Sequence, residues 1–450
     1  MCEFPFQLIV KRVPERQTEC LLCTGLLRIV PGRRQVYDAL WNQKSVIVKV
    51  FSNRLNSKRH LRREWKSLVT AAGRNLNVPE PLFYGRTQDS AWAVIIEKIT
   101  DSSTALELFE KLQDSAEILD LLVLIGRELA GQHIRGVLQK DLHLGNFLLQ
   151  NDKVFLLDAA QVQFFPGEID RKKSIAQLAM LAACLPNGRK EAMKKLCMQY
   201  FKVREWHFED SDEILFQKQL ALHRKRAINR GLKKSLRTSK RYFKITDTQC
   251  TAVFDRVFCN EDQTCDFIEQ LDKLMDDGEI LKNGKTCYVS RFNWNGNDIV
   301  VKRYNHKGLI HSLRHTIKGA RARSCWIHGH RLGMLNIPTP KPLVFIERRR
   351  GLLIWKSYMV TQYIEGQRLY DILHDECVTG EQSLSIQREV EDLLNEMGRS
   401  RITHGDLKHT NILITKNGPV LTDLDAMRVH QWNWSYRIRR AKDLERIKWE

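Results

Sequence analysis

The feature that most restricts this chain is a spaced set of three polar residues that occurs twice. Asp141 and Asn146 lie five apart in Asp141-Leu142-His143-Leu144-Gly145-Asn146, and Asp158 follows in Leu156-Leu157-Asp158. Asp406 and Asn411 repeat that spacing in His404-Gly405-Asp406-Leu407-Lys408-His409-Thr410-Asn411, with Asp423 beyond them in Leu421-Thr422-Asp423-Leu424-Asp425. Each member of the second set stands 265 residues after its counterpart. One Asp-x4-Asn arises often by chance, but three positions shifted by a single offset do not. Phosphoryl transfer from ATP needs such a set. One carboxylate takes the proton of the attacking hydroxyl, and the amide and second carboxylate hold Mg²⁺ against the phosphates. Asp141 and Asp406 are the candidate bases. Asn146, Asp158, Asn411 and Asp423 are the candidate metal ligands. The chain reads as an internal duplication.

Upstream of each set lies a strand with one lysine in an apolar run. Ser45-Val46-Ile47-Val48-Lys49-Val50-Phe51 is the first, and Asp298-Ile299-Val300-Val301-Lys302-Arg303-Tyr304 the second. A lysine among β-branched residues is costly without a partner. Phosphate oxygens of ATP supply one, with a helix glutamate steadying the amine. Glu64, in Arg62-Arg63-Glu64-Trp65, opens a helical pattern after the first strand and is the candidate. The matching position in the second copy is Cys325, so Lys302 is expected to lack an ion-pair partner. Copy one has Gln139 where copy two has His404, and neither has a Gly-x-Gly-x-x-Gly loop; single glycines at 32 and 284 serve instead. Prolines break both copies at Val78-Pro79-Glu80-Pro81 and Pro338-Thr339-Pro340-Lys341-Pro342. The segments Ala93–Glu97 and Met359–Gly366 then read as lobe connectors.

These patterns predict an α+β fold of two tandem protein-kinase-like bilobal domains. The first covers 1–240, a linker 241–275, and the second 276–450, starting near Leu281–Lys285. Only 27 residues follow Asp423, so the second C-terminal lobe is expected to be truncated. Within that tail Asp443 is placed to brace the catalytic loop from a helix. Trp432 and Trp434, beside Arg437, Arg439 and Arg440, read as packed tryptophans, with an interfacial patch as the alternative.

A chain of 450 residues, 43% hydrophobic and 8% aromatic, can bury a core in each half. Its net charge of +20 calls for an anionic partner: a membrane surface, a phosphorylated glycan or nucleic acid. Ten cations and no acid lie between His223 and Lys244: Arg224, Lys225, Arg226, Arg230, Lys233, Lys234, Arg237, Lys240, Arg241 and Lys244. They read as a lipid- or glycan-docking surface or as a solvated helix face leading into the linker. No nucleic-acid motif accompanies them. The eleven cysteines have no framework spacing, which fits a reducing compartment. Cys20-Leu21-Leu22-Cys23 reads as strand core, with zinc a distant second. No apolar run is long enough for a span, and the N-terminus is a poor signal peptide. The expected location is cytoplasmic, peripheral to a membrane.

The sequence also resembles a known family. His404-Gly405-Asp406-Leu407-Lys408, Asp423-Leu424-Asp425-Ala426-Met427-Arg428 and Val300-Val301-Lys302-Arg303-Tyr304-Asn305 look like the lipopolysaccharide core kinases, the bacterial heptose and Kdo kinases. The likeness is strongest over 280–450 and looser over 20–240. Asp141-Leu142-His143-Leu144-Gly145-Asn146 is also similar to the loop of the antibiotic and small-molecule phosphotransferases. The resemblance implies ATP and Mg²⁺, a lipopolysaccharide core sugar hydroxyl as acceptor, and action at the cytoplasmic face of the inner membrane. An acceptor of another kind, protein or small molecule, and a pairing of one active domain with a regulatory pseudokinase are the alternatives.

Overall fold

In a computed structural model the chain is described over residues 3–30, 32–52, 56–112, 115–185, 190–284, 286–305, 319–447 and 449. Pro31 of the first expected turn and Lys285 at the expected start of the second copy lie outside the described residues. The chain divides into two compact units, Met1–Arg224 and Lys225–Glu450.

The first unit opens with six strands closed into a barrel. The lysine strand (Lys44–Phe51) is paired to Arg34–Trp41 through a two-residue turn in which Asn42 and Gln43 both take positive φ, 48° and 64°. Such turns match the twist of the strands and fix their register, here placing Lys49 opposite Val36. Closure comes from Phe6–Arg12 pairing with Pro81–Thr87. Gly85 permits that contact, because a Cβ there would lie 2.2 Å from the Lys11 carbonyl oxygen. The helix Ser57–Gly73 carries Leu61, Glu64, Leu68 and Ala71 on its buried face, the i, i+3, i+7, i+10 spacing of one helical side. Below, the helices Ala105–Lys111, Ser115–Ile134, Arg171–Ala182 and Lys190–Val203 pack around Leu122, Ile125, Leu129, Leu178 and Leu196. The loop residues Leu142, Leu144 and Phe147 are buried in that same cluster and root the Asp141–Asn146 segment in it. Cys20 is exposed and Cys23 buried on one strand. An odd spacing along a strand turns side chains to opposite faces, so the pair does not converge on a metal.

The second unit is a seven-stranded sheet. Its order is Tyr242–Thr246, Cys250–Asp255, Pro342–Arg350, Leu353–Gln362, Asn297–Tyr304, Cys287–Trp294 and Glu279–Gly284. The expected linker at 241–275 is therefore wrong: it supplies two strands of this sheet and the helix Thr264–Asp277. The basic run before it masked the signal. Cys250-Thr251-Ala252-Val253-Phe254 is a largely apolar segment of the length of a buried strand, and it pairs on both edges. Phe267, Leu271 and Met275 of the helix cover Ile299, Val301 and Val360 of the sheet. On its own cluster, Trp326 of the helix Arg321–Met334 packs with Tyr304, Phe345 and Met359. The lysine hairpin again has a two-residue turn, Asn295-Gly296, with φ of 49° and 78°. After the connector come the helices Leu369–Leu373 and Gly380–Arg399, the loop, and then the helix Asn433–Arg446.

No helix among the described residues is long and apolar enough to cross a membrane.

Candidate active site

The two loops share a core of matching hydrogen bonds. In the first unit the Asn146 side-chain NH₂ donates to the Asp141 carbonyl at 2.6 Å, and in the second Asn411 donates to the Asp406 carbonyl at 2.8 Å. Each asparagine ends a 3₁₀ turn, its N–H bonding to the carbonyl of His143 (3.0 Å) or Lys408 (2.9 Å). The residue before each candidate metal-ligand aspartate is tied to the asparagine. Leu157 N–H donates to Asn146 O at 3.0 Å, and Thr422 N–H to Asn411 O at 2.9 Å. One residue earlier, Leu156 and Leu421 donate to carbonyls of the proline breaks, Asn77 at 2.8 Å and Pro338 at 3.0 Å. The structure thus brings Asp141, Asn146 and Asp158 into one loop-and-hairpin unit, and does the same for Asp406, Asn411 and Asp423.

This bonding fits Mg²⁺. Committing each asparagine NH₂ to a carbonyl turns its amide oxygen the other way. An amide oxygen and a carboxylate are hard donors of the kind Mg²⁺ shares with substrate phosphates. Among the described residues no group of three or more His, Cys, Asp or Glu could hold a metal by itself, so phosphate oxygens would complete the shell.

The lysines are held differently. Lys49 and Glu64 meet at 2.5 Å, both buried, and Arg34 stands 3.6 Å from the second carboxylate oxygen. Burial alone would raise the Glu64 carboxyl, but the charges of Lys49, Arg34 and Arg63 hold it below its ordinary range. Lys302 was expected to lack an ion-pair partner, and that expectation fails. Its ammonium lies 2.7 Å from Asp423 and 2.9 Å from Asp425. Asp425 is in turn gripped by the Tyr304 hydroxyl at 2.5 Å and the Cys325 thiol at 2.8 Å. Burial pushes both of those groups well above their usual values, with Asp425 adding to the push on each. Both therefore stay protonated and donate. Burial would lower Lys302, yet Asp425 and Asp423 raise it. Sequence reasoning missed Asp425, Tyr304 and Cys325. The available signal was the second aspartate of Asp423-Leu424-Asp425, where the first copy has Ala160.

The candidate metal-ligand aspartates, Asp158 and Asp423, differ in consequence. Burial and the neighbouring Glu64 raise Asp158, with Lys49 only partly offsetting them. Partial burial would raise Asp423 as well, but Lys302 and then His404 lower it.

Each loop is braced from a helix. Asp443, 2% exposed, accepts the N–H of His404 at 2.7 Å and of Gly405 at 2.9 Å. Gly405 holds φ of 82°, and a Cβ there would sit 2.3 Å from the Ala426 carbonyl oxygen, so only glycine fits. His404 donates through Nε2 to the Thr422 carbonyl at 2.8 Å. In the first unit amides replace charge. Gln177 accepts the Gln139 N–H at 3.2 Å and donates to the Gln139 carbonyl. Gln139 donates to Gln132 at 2.8 Å and accepts from Asn146 at 3.3 Å. Gln139 is thus the hub of a buried amide network, a role the sequence did not reveal. Asp406 lies between two cations, Lys408 at 3.1 Å and Arg446 at 3.4 Å.

Residues 268–450 match the family described as "Lipopolysaccharide kinase (Kdo/WaaP) family". Among solved structures, the kinase domain of M. tuberculosis PknI is similar at 17% identity, with 36% of this chain and 70% of that domain covered and a TM-score of 0.26. A double mutant of that domain is similar at 16% identity over 44% of this chain and 95% of the domain, with a TM-score of 0.30. None of the curated proteins compared matches the chain. Over residues 268–450 the chain is thus similar to the lipopolysaccharide kinase (Kdo/WaaP) family, and it is an ATP-dependent phosphotransferase.

Proposed function

We propose that this protein transfers the γ-phosphoryl group of ATP to a sugar hydroxyl, of heptose or Kdo, in the lipopolysaccharide inner core, and that both units are competent. The observation that carries this is the repeated loop, in which each asparagine is locked to the carbonyl of the base aspartate and to the strand of the metal-ligand aspartate. In the second unit the acceptor hydroxyl gives its proton to the Asp406 carboxylate as its oxygen attacks the γ-phosphorus, and the bond to the β-phosphate oxygen breaks. Lys408 and Arg446 orient that carboxylate. Asn411 and Asp423 would hold Mg²⁺, whose charge neutralises the phosphates when bound. Lys302, steadied by Asp425, contacts phosphate oxygens. Asp141, Asn146, Asp158 and Lys49 with Glu64 take the same parts in the first unit.

The acceptor is membrane-borne, and an anionic inner-membrane surface is the second partner in this reading; nucleic acid is not. Every cation of the 224–244 run except Arg224 is exposed. Trp434, 66% exposed, stands one helical turn from the exposed Ile438 beside Arg437, which suits an interfacial contact. These side chains overturn the packed-tryptophan expectation.

The test is the double substitution Asp158→Asn with Asp423→Asn. It removes two charges with little change of volume. Phosphate transfer to purified core oligosaccharide should vanish while the circular dichroism spectrum stays that of the parent. Undiminished transfer would overturn the reading.

A further inference from the structure

A cleft of about 380 Å³ lies on the second unit, lined by Arg428, His430, Gln431, Trp432, Ser435 and Arg439 among others. Its position follows from strand pairing. Thr403 pairs with Arg428 and Ile402 with Val429, and Thr403 directly precedes His404-Gly405-Asp406. Three residues of chain reach at most about 11 Å and the paired strand adds about 5 Å, so Arg428 on the cleft wall stands within about 16 Å of Asp406, the length of a short saccharide.

The floor of the cleft is fixed. Ser435 has one hydroxyl proton and donates it to the Trp432 carbonyl at 3.0 Å. Its oxygen must therefore accept from His430 Nδ1, 3.1 Å away. That leaves His430 Nε2 to accept the Thr403 hydroxyl at 2.8 Å. One tautomer of neutral imidazole satisfies all three bonds. Burial first, then the nearby Arg439 and Arg428, lower the His430 pKa, which keeps it neutral. The positive charge of the cleft thus sits on two guanidinium groups, while a rigid neutral relay sets its shape.

At its rim Trp432 is 65% exposed, and a large exposed aromatic at a polar cleft marks a contact site. An indole face covers the C–H face of a sugar ring, and guanidinium forks take carboxylate or phosphate in two-point contact. A bilayer is flat and fluid. A concave site with a fixed polar floor, of the size that holds small ligands, suits a discrete molecule better.

Resting on the kinase reading above, we infer that this cleft is the acceptor subsite of the second unit. It binds an anionic saccharide, with Arg428 and Arg439 on its carboxylate or phosphate and Trp432 stacked on a ring.

The probe is de-acylated inner-core oligosaccharide carrying a carboxylated sugar, with its carboxyl-reduced form as control, added to the full chain. Without ATP, the native oligosaccharide should quench tryptophan fluorescence saturably, and Trp432→Phe should abolish the quench. Arg428→Gln and Arg439→Gln should each weaken binding and raise the acceptor KM about ten- to hundred-fold, leaving KM for ATP in place. Discrimination between native and carboxyl-reduced probe should shrink, and Arg439→Lys should recover part of the loss. Unchanged oligosaccharide affinity in both arginine variants overturns the subsite. So does loss of binding to phosphatidylglycerol vesicles with oligosaccharide affinity intact, which assigns the surface to lipid. Parent protein that binds the oligosaccharide through this cleft but phosphorylates no saccharide upholds the subsite and defeats the kinase reading.

Discussion

The two units hold one lysine in the same way along the strand and in different ways across it. Lys49 meets a glutamate from the helix Ser57–Gly73; Lys302 meets Asp425, two residues past the candidate metal ligand Asp423. Where the first unit has Glu64 and Ala160, the second has Cys325 and Asp425. The carboxylate has in effect moved from helix to loop, and the helix position it left now donates a thiol hydrogen to it. The lesson is that a buried ammonium demands a nearby negative charge, not a charge from a particular element. The braces follow the same logic. Asp443 holds two loop N–H groups through a carboxylate, while Gln177 holds the corresponding backbone through an amide.

The strongest way to break this comparison is to silence the bases one at a time. Removing a general base typically slows transfer by about 10²–10⁴-fold. If, as proposed, both units are competent and each phosphorylates a different hydroxyl, Asp141→Asn and Asp406→Asn should each remove part of the phosphate added to core oligosaccharide, read by mass spectrometry. A phosphate pattern untouched by one substitution would make that unit a pseudokinase. Suspicion falls no more on the second unit than on the first, since Lys302 is paired.

A smaller effect tests the exchanged carboxylates. Asp425→Asn and Glu64→Gln keep shape and remove charge, so each lysine loses its anchor. A displacement of about 1 Å at a reacting group is worth roughly 10²-fold in rate, and each variant should slow its own unit by up to that much. The sharper form is a transplant. Ala160→Asp placed in Glu64→Ala should recover part of the first unit's rate, by offering Lys49 the loop carboxylate that Lys302 uses. Full activity of Asp425→Asn would show the Lys302 contact to be incidental.

Much of the grouping of these candidate residues was legible in the sequence, and the reason is geometric. Asp141, Asn146 and Asp158 lie on one loop and one hairpin, so their contacts are local and spacing captures them. Lys49 and Glu64 were legible because a strand and the next helix are adjacent in most folds. Asp425 was not, because the Lys302 contact joins residues 123 apart and nothing local marks it. Gln139 and Gln177 escaped for a different reason: amides carry no charge signal, and only a buried network gives them meaning. The misread linker failed because charge was weighed ahead of pattern. Arg241 is followed at once by the strand Tyr242–Thr246, and its guanidinium pairs with the buried Asp255 at 3.1 Å.

The smallest expected effect concerns acid. In the first unit His133 is fully buried, with Nδ1 2.6 Å from the Tyr200 hydroxyl and Nε2 3.3 Å from Gln177. Burial pushes its pKa down to about 3, and Arg204 pushes the same way against the Gln177 bond. In the second unit His330 is lowered to about 4, by burial and then by Arg241. Its Nε2 is buried without a hydrogen-bond partner among the described residues. An unfolded histidine titrates near 6.5, so between that pH and the folded value the unfolded chain binds a proton that the folded chain refuses. Stability from these residues is complete above pH 6.5 and is lost as pH falls toward 4 and then 3. Each contributes at most about 1.4 kcal/mol per pH unit. Urea unfolding at pH 7, 6, 5 and 4.5 should show that decline. His133→Gln should flatten it for the first unit and leave the second unit's slope in place. Parallel decline of parent and variant would mean that His133 is protonated in the fold. The buried pairing with Tyr200 and Gln177 would then not be what holds it neutral.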